Sequence, residues 1–177
     1  MKKTPKKKLQ LYYHILTGGN VGNVLSNLLR TEELLKSNAG QIKNASWIYK
    51  TSAWGEENQS FFLNRVLILE SPFKPDSLIE ITQKIERIIG RQKTYKWGPR
   101  EIDIDILCCE NKVFKSDKLT IPHPEILNRR FTLVPFNEIS PEYVLPVIEI
   151  SISKALDLCE DNSPVEKYCN PLNWQNA

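Results

Sequence analysis

Between positions 91 and 105 the chain carries Arg91, Lys93, Lys96 and Arg100, and then Asp103 and Asp105 in the run Ile102-Asp103-Ile104-Asp105-Ile106. In an extended strand successive side chains alternate faces, so the isoleucines point one way and both aspartates the other. Carboxylates two residues apart lie roughly 6.5–7 Å from each other along a strand, near enough to share one hard cation or bracket two. An Asp-x-Asp pair alone would also fit the polar outer face of a half-buried strand. The four cations just ahead of it, with no acid among residues 91–100, favour a site for a polyphosphate. There a metal neutralises some phosphate oxygens and Arg or Lys holds others while charge redistributes. Trp97-Gly98-Pro99 adds an aromatic plate in a constrained turn. Trp97 could stack on a flat heterocycle or cover the core, and spacing does not choose between them. His123, one of two histidines, reads by itself as a turn residue beside proline.

These residues need a scaffold to hold them. Residues 9–17 are aromatic and β-branched enough for a first strand, ended by Gly18-Gly19-Asn20. Helical spacing follows from Gly22 to a stop at Gly40. Residues 42–49 and 61–69 read as strands two and three. Residues 75–90 form the clearest helix: Pro75-Asp76-Ser77 starts it, Leu78, Ile81, Ile85 and Ile88 line one face, and Gly90 ends it. On the helix face away from Leu78 and Ile81 lie Gln83 and Glu86. Strand four, 102–109, completes a β-α-β-β-α-β order. That order predicts an α+β, ferredoxin-like antiparallel sheet with both helices on one face, plus C-terminal additions. The additions are a hairpin-like segment over 112–120, a Pro/His turn, a hydrophobic segment over 131–136 and a last helix over 152–158.

With 177 residues, 41% hydrophobic and 25% charged, the chain can bury an ordinary core without disulfides or a structural metal. Lys2, Lys3, Lys6, Lys7 and Lys8 supply five positive charges, so the overall +3 leaves the remainder near −2. Residues 1–8 are expected to be a disordered tail and 9–177 one domain. Cys108, Cys109, Cys159 and Cys169 lack the paired spacing of a zinc site and read as reduced thiols. No apolar run approaches the roughly 20 residues of a membrane span, and no signal-peptide core is present. The expectation is a cytoplasmic monomer that contacts neither nucleic acid nor membrane.

Residues 96–107, Lys-Trp-Gly-Pro-Arg-Glu-Ile-Asp-Ile-Asp-Ile-Leu, resemble the signature of the 6-hydroxymethyl-7,8-dihydropterin pyrophosphokinases, enzymes of folate synthesis. The similarity extends through Gly18-Gly19-Asn20-Val21-Gly22, Tyr49-Lys50-Thr51, Phe62-Leu63-Asn64, and Thr82 to Glu86 with Gly90-Arg91. It continues through Ile121-Pro122-His123-Pro124 and Asn128-Arg129-Arg130-Phe131. The resemblance implies transfer of pyrophosphate from ATP to the pterin hydroxymethyl group, leaving AMP. It implies that Asp103 and Asp105 ligate two Mg²⁺ ions, and that Arg91, Lys93 and Arg100 share the catalytic work with them. Gln83, Glu86, Lys93, Trp97, Arg100, Ile106, Thr120, His123 and Arg129 would serve ATP. Thr51, Ala53, Trp54, Phe62, Asn64, Trp97, Asp103 and Phe131 would form the pterin slot. Gly19 stands where the family commonly has Ser, Phe62 where Tyr is frequent, and Lys93 and Lys96 where Arg is common. Paired aspartates on such a sheet also suit a nucleotidyl transferase or cyclase, and a ferredoxin-like module can bind RNA. AMP rather than free pyrophosphate as product separates pyrophosphoryl from nucleotidyl transfer. An RNA-binding module would keep its RNA binding after Asp103→Asn plus Asp105→Asn and show no Mg²⁺-dependent consumption of ATP.

Overall fold

The computed structural model describes residues 10–53, 59–92, 95 and 98–170. The expected tail, residues 1–8, lies outside them. Strand β1 (Leu11–Gly19) leads into helix α1 (Val24–Asn38), whose first turn is capped by the Asn23 side chain accepting the Ser26 N–H. Strands β2 (Gln41–Ala45), β3 (Ile48–Thr51) and β4 (Phe62–Ser71) follow, then helix α2 (Pro75–Ile89) and strand β5 (Asp103–Cys109). All pairings are antiparallel, in the order β5-β1-β4-β3, with β2 also on β4. This is the expected α+β, ferredoxin-like arrangement.

The second strand is divided, and Arg65 explains why. Its Nε donates to the Ser46 carbonyl at 2.7 Å, and Ser46 Oγ accepts the Val66 N–H, so the backbone turns aside between β2 and β3. Helices α1 and α2 cover one face of the sheet, where Leu28, Leu35, Leu78 and Ile85 pack on Ile15, Leu67, Ile104 and Ile106. Glu86 belongs to this inner side of α2 with Leu78, Thr82 and Ile85, not to the outer face predicted for it. At residues i, i+4, i+7 and i+8 those four form one stripe.

The other face carries what the sequence left untyped. Residues 131–136 lie in helix α3 (Arg130–Ile139), despite Pro135 inside it and the β-branched Thr132 and Val134, which obscure a helical pattern. Helix α4 (Ile152–Asp157) packs beside it, and Leu133, Phe136, Ile152 and Ala155 cover Leu16, Val66, Leu107 and Cys108. Short strands β6 (Phe114–Lys115) and β7 (Thr120–Ile121) form the expected hairpin. Strand β8 (Val165–Cys169) was not foreseen; it adds to β3 as a sheet edge. Its five residues, mostly polar and exposed, give little periodic signal.

One irregularity governs the site. Ile15 pairs with Ile106 but His14 pairs with Cys108, leaving Leu107 as a bulge. Alternation before the bulge turns Ile102, Ile104 and Ile106 toward α1 and α2 and both aspartates to the other face, and the bulge then lets Cys108 join Leu107 in the opposite core.

Candidate active site

The site forms where β1, β4 and β5 run side by side. Gly18 lies between Asn64 of β4 and Asp103 of β5. A Cβ there would stand 2.0 Å from Asn64 Oδ1, so only glycine lets these two side chains flank the same point. The Asn64 amide is oriented by its Nδ2 donating to Thr51 Oγ1 at 2.8 Å, with both residues buried. Next door a Cβ on Gly19 would come within 2.5 Å of the Glu101 carbonyl oxygen. Close backbone packing therefore occupies the space that any side chain, a serine's included, would need here.

The cations are fixed from two directions. Gly90, in the left-handed region at φ 109°, ends α2, and the Arg91 N–H donates back to the Glu86 carbonyl at 3.0 Å. Asn20 holds the other approach: its Oδ1 accepts the Arg100 N–H at 2.9 Å, and its own N–H donates to the Arg100 carbonyl. The guanidiniums of Arg91 and Arg100 then converge on Asp103, Arg91 reaching Oδ1 at 2.6 Å and Arg100 pairing with Oδ2. Arg91 also pairs with Glu86. A Glu86 carboxylate oxygen accepts the Ile104 N–H at 2.9 Å, so this acid ties α2 to β5 and braces Arg91 from behind. Burial raises Glu86 to about 7 against the lowering effect of Arg91. Arg129, at the start of α3, stands 3.8 Å from Asp105. Burial first, and the neighbouring Asp103 second, push Asp105 above the usual carboxylate range.

His123 follows a cis Ile121–Pro122 peptide, and its N–H donates to the Leu107 carbonyl. Its Nδ1 accepts the Glu125 N–H at 3.2 Å, and burial, aided by Arg129, lowers its pKa to about 4. The ring is therefore neutral near pH 7, with its proton on Nε2, a donor rather than a cation.

A cavity of about 260 Å³ gathers these groups. Of the residues singled out in the sequence, Thr51, Phe62, Asn64, Arg91, Arg100, Asp103, Asp105, His123, Arg129 and Phe131 line it. Phe62 and Phe131 supply aromatic surface, each with a guanidinium beyond its ring, Arg100 at 5.9 Å and Arg129 at 5.8 Å from the centroids. Leu16, Gly18 and Ser52 also line it and were not singled out. Gly18 had a signal, the paired glycines, but it reads as the end of a strand rather than as a member of one.

Other expected residues do not reach the cavity wall. Glu86 acts behind Arg91. Ile106 buries its side chain under α1 and α2, which leaves only its backbone for a ligand. Gln83 is exposed on α2, Thr120 lies in β7, and Ala53 adjoins Ser52 without lining the cavity. Lys93, Trp97 and Trp54 lie outside the described residues, as does Lys96.

Residues 14–141 match the family model described as 7,8-dihydro-6-hydroxymethylpterin-pyrophosphokinase. The chain belongs to this family. Among curated relatives, an Aquifex aeolicus 2-amino-4-hydroxy-6-hydroxymethyldihydropteridine pyrophosphokinase is 40% identical over 73% of this chain and 81% of its own length. A Bacillus subtilis protein of the same name is 35% identical over 71% and 76%. Among solved structures, a Plasmodium falciparum HPPK-DHPS chain with pteroate superposes with a TM-score of 0.70 at 16% identity, covering 87% of this chain. This chain spans 43% of that longer one, and at such identity the likeness concerns the fold. Among the described residues no helix is long and apolar enough to cross a membrane.

Proposed function

We propose that this pyrophosphokinase-family chain transfers pyrophosphate from ATP to the hydroxymethyl group of 6-hydroxymethyl-7,8-dihydropterin, in the making of folate. The observation that carries the reading is the convergence, in one cavity, of phosphate-type and heterocycle-type groups. Asp103, Asp105, Arg91, Arg100, Arg129 and His123 form the first set, and Phe62, Phe131 and the Asn64–Thr51 pair form the second.

Asp103 and Asp105 offer hard carboxylate oxygens on one face of β5, a donor set suited to Mg²⁺ together with phosphate oxygens and water. Among the described residues no third acid, His or Cys joins them as a metal cluster, so the remaining ligands come from substrate and solvent. Two Mg²⁺ ions held by this pair would neutralise triphosphate charge and polarise the reacting phosphate. The chain's own residues do the rest. Arg91 and Arg100, held on Asp103 without substrate, exchange that carboxylate for phosphate oxygens when ATP enters. His123 donates from Nε2, and Arg129 stands over the Phe131 side of the slot. Phe62 and Phe131 take the faces of the bicyclic ring, and Asn64, fixed by Thr51, reads its edge. The pterin hydroxyl attacks the β-phosphorus and gives its proton to a nearby carboxylate or to water. The bond from the β-phosphorus to the oxygen it shares with the α-phosphate breaks, and AMP departs with that oxygen. Alignment and charge stabilisation supply most of the acceleration, because a primary alcohol is a weak nucleophile.

Lys93, Gln83 and Thr120 on the ATP side, with Trp97 shared between the nucleotide and pterin sides and Ala53 and Trp54 on the pterin side, complete the proposed contacts. A monomer is the proposed working unit. Four free cysteines agree with a reducing cytoplasm. Incubation with ATP, Mg²⁺ and the dihydropterin, followed by mass analysis, should yield AMP and the pterin diphosphate. Asp103→Asn should reduce turnover at least about a hundredfold, the scale of losing one electrostatic stabiliser. Free pyrophosphate in place of AMP would assign nucleotidyl transfer instead.

A further inference from the structure

Helix α3 carries Phe131 at its start, yet its N-cap, Arg129, provides no side-chain hydrogen bond to the first turn. The cap comes from 31 residues further along the chain: Asp161 Oδ2 accepts the Arg130 N–H at 3.0 Å, while Oδ1 accepts the Ser163 N–H at 2.9 Å. Four residues after Asp161 the chain enters β8, where Val165 pairs with Thr51. Thr51 is the residue that orients Asn64. A stretch of four residues spans at most roughly 14 Å, so the cap and the strand pairing cannot move farther apart than that. The far end of α3 is tied to the same sheet edge, because Glu138 accepts the Trp47 N–H at 2.8 Å and the Tyr49 hydroxyl at 3.1 Å.

We infer that residues 161–169, which lie beyond the family match at 14–141, are a positioning brace that sets the width of the pterin slot. One end holds the helix bearing Phe131, and the other holds the strand bearing Thr51. The inference rests on the pterin reading of the cavity. Asp161 touches no substrate; it acts through the first turn of α3.

Full-length Asp161→Ala should raise the KM for the pterin about fivefold, the factor that a lost helix N-cap commonly represents. The KM for ATP should stay within about twofold, whereas a mere loss of folded enzyme would lower apparent kcat and leave both KM values where they are. Asp161→Asn, which keeps one acceptor oxygen for Arg130, should stay near wild type. Leu35→Val in α1, buried on the opposite face of the sheet, provides a variant of lowered melting temperature without a role in the brace, and its pterin KM should not change. Amide exchange at Arg130 should accelerate in Asp161→Ala. An unchanged pterin KM in an active Asp161→Ala enzyme, an equal rise in Leu35→Val, or an unaltered Arg130 amide would each overturn the brace. Wild-type protein that forms no pterin diphosphate would refute the reaction but not the brace, which the amide exchange then decides.

Discussion

Gly18 shows how a single missing side chain can define a binding site. With Asn64 on one neighbouring strand and Asp103 on the other, its bare Cα is the floor between the amide proposed to read the heterocycle and the carboxylate proposed to serve the phosphates. Gly18→Ala would place a methyl group 2.0 Å from Asn64 Oδ1 and 3.3 Å from the Leu63 carbonyl. Asn64 must then leave Thr51, and the expected result is at least about tenfold weaker pterin binding with about 1–3 kcal/mol of lost stability. Calorimetric titration and denaturant unfolding measure the two; undiminished pterin affinity would remove Gly18 from the site. At this scale the sequence was informative about charge and blind to support. Asp103, Asp105 and the arginines stand out by type and spacing. Glu86 does not disclose its place, because a helix stripe of Leu78, Thr82, Ile85 and Glu86 hides an acid among inward-facing positions, and only Arg91 and the Ile104 N–H explain its burial.

Among the elements, α1 and β4 are joined by an ion pair that no pattern announces. Arg65 is 1% exposed and Glu32 is fully buried, at 2.9 Å from each other. Burial raises the Glu32 pKa against the pull of Arg65. Removing one partner leaves the other charge buried, so Arg65→Met should cost about 3–5 kcal/mol in urea unfolding. The double variant with Glu32→Leu should recover much of that loss; no recovery would mean that Arg65 matters chiefly through the Ser46 carbonyl. Strands and helices with strong periodicity, β1, α1, β4, α2 and β5, were legible because tertiary packing agrees with their local pattern. Helix α3 was not, since Pro135 and two β-branched residues oppose it locally while Leu133 and Phe136 bury it. Strand β8 was not, since its pairing with β3 joins segments more than a hundred residues apart.

For the whole molecule the pH response should be set in part by His14, which does not line the cavity. Its ring lies between Phe136 and Tyr143, at 4.4 and 4.6 Å between centroids, and its Nε2 meets Ser140 Oγ at 3.0 Å. Burial lowers its pKa from 6.5 to about 4. The unfolded chain therefore binds a proton that the folded one refuses. Stability is complete above pH 6.5 and declines as pH falls toward 4, by on the order of 3 kcal/mol from this residue. His14→Phe keeps the packing, removes the titration and should flatten that acid limb in unfolding measured at successive pH values. An acid limb of unchanged slope would assign the loss to other groups.

The Glu86, Asp103 and Asp105 carboxylates face Arg91, Arg100 and Arg129 in equal number. Well above pH 7, where Glu86 and Asp105 have lost the protons that burial lets them keep, this cluster is close to neutral and projects little field into solution before ATP arrives. Nucleotide encounter through it should then be weakly steered, with an association rate that changes little with added salt. Dissociation should respond more, because only the bound phosphates separate the arginines from their acids and place opposite charges in contact across the ligand.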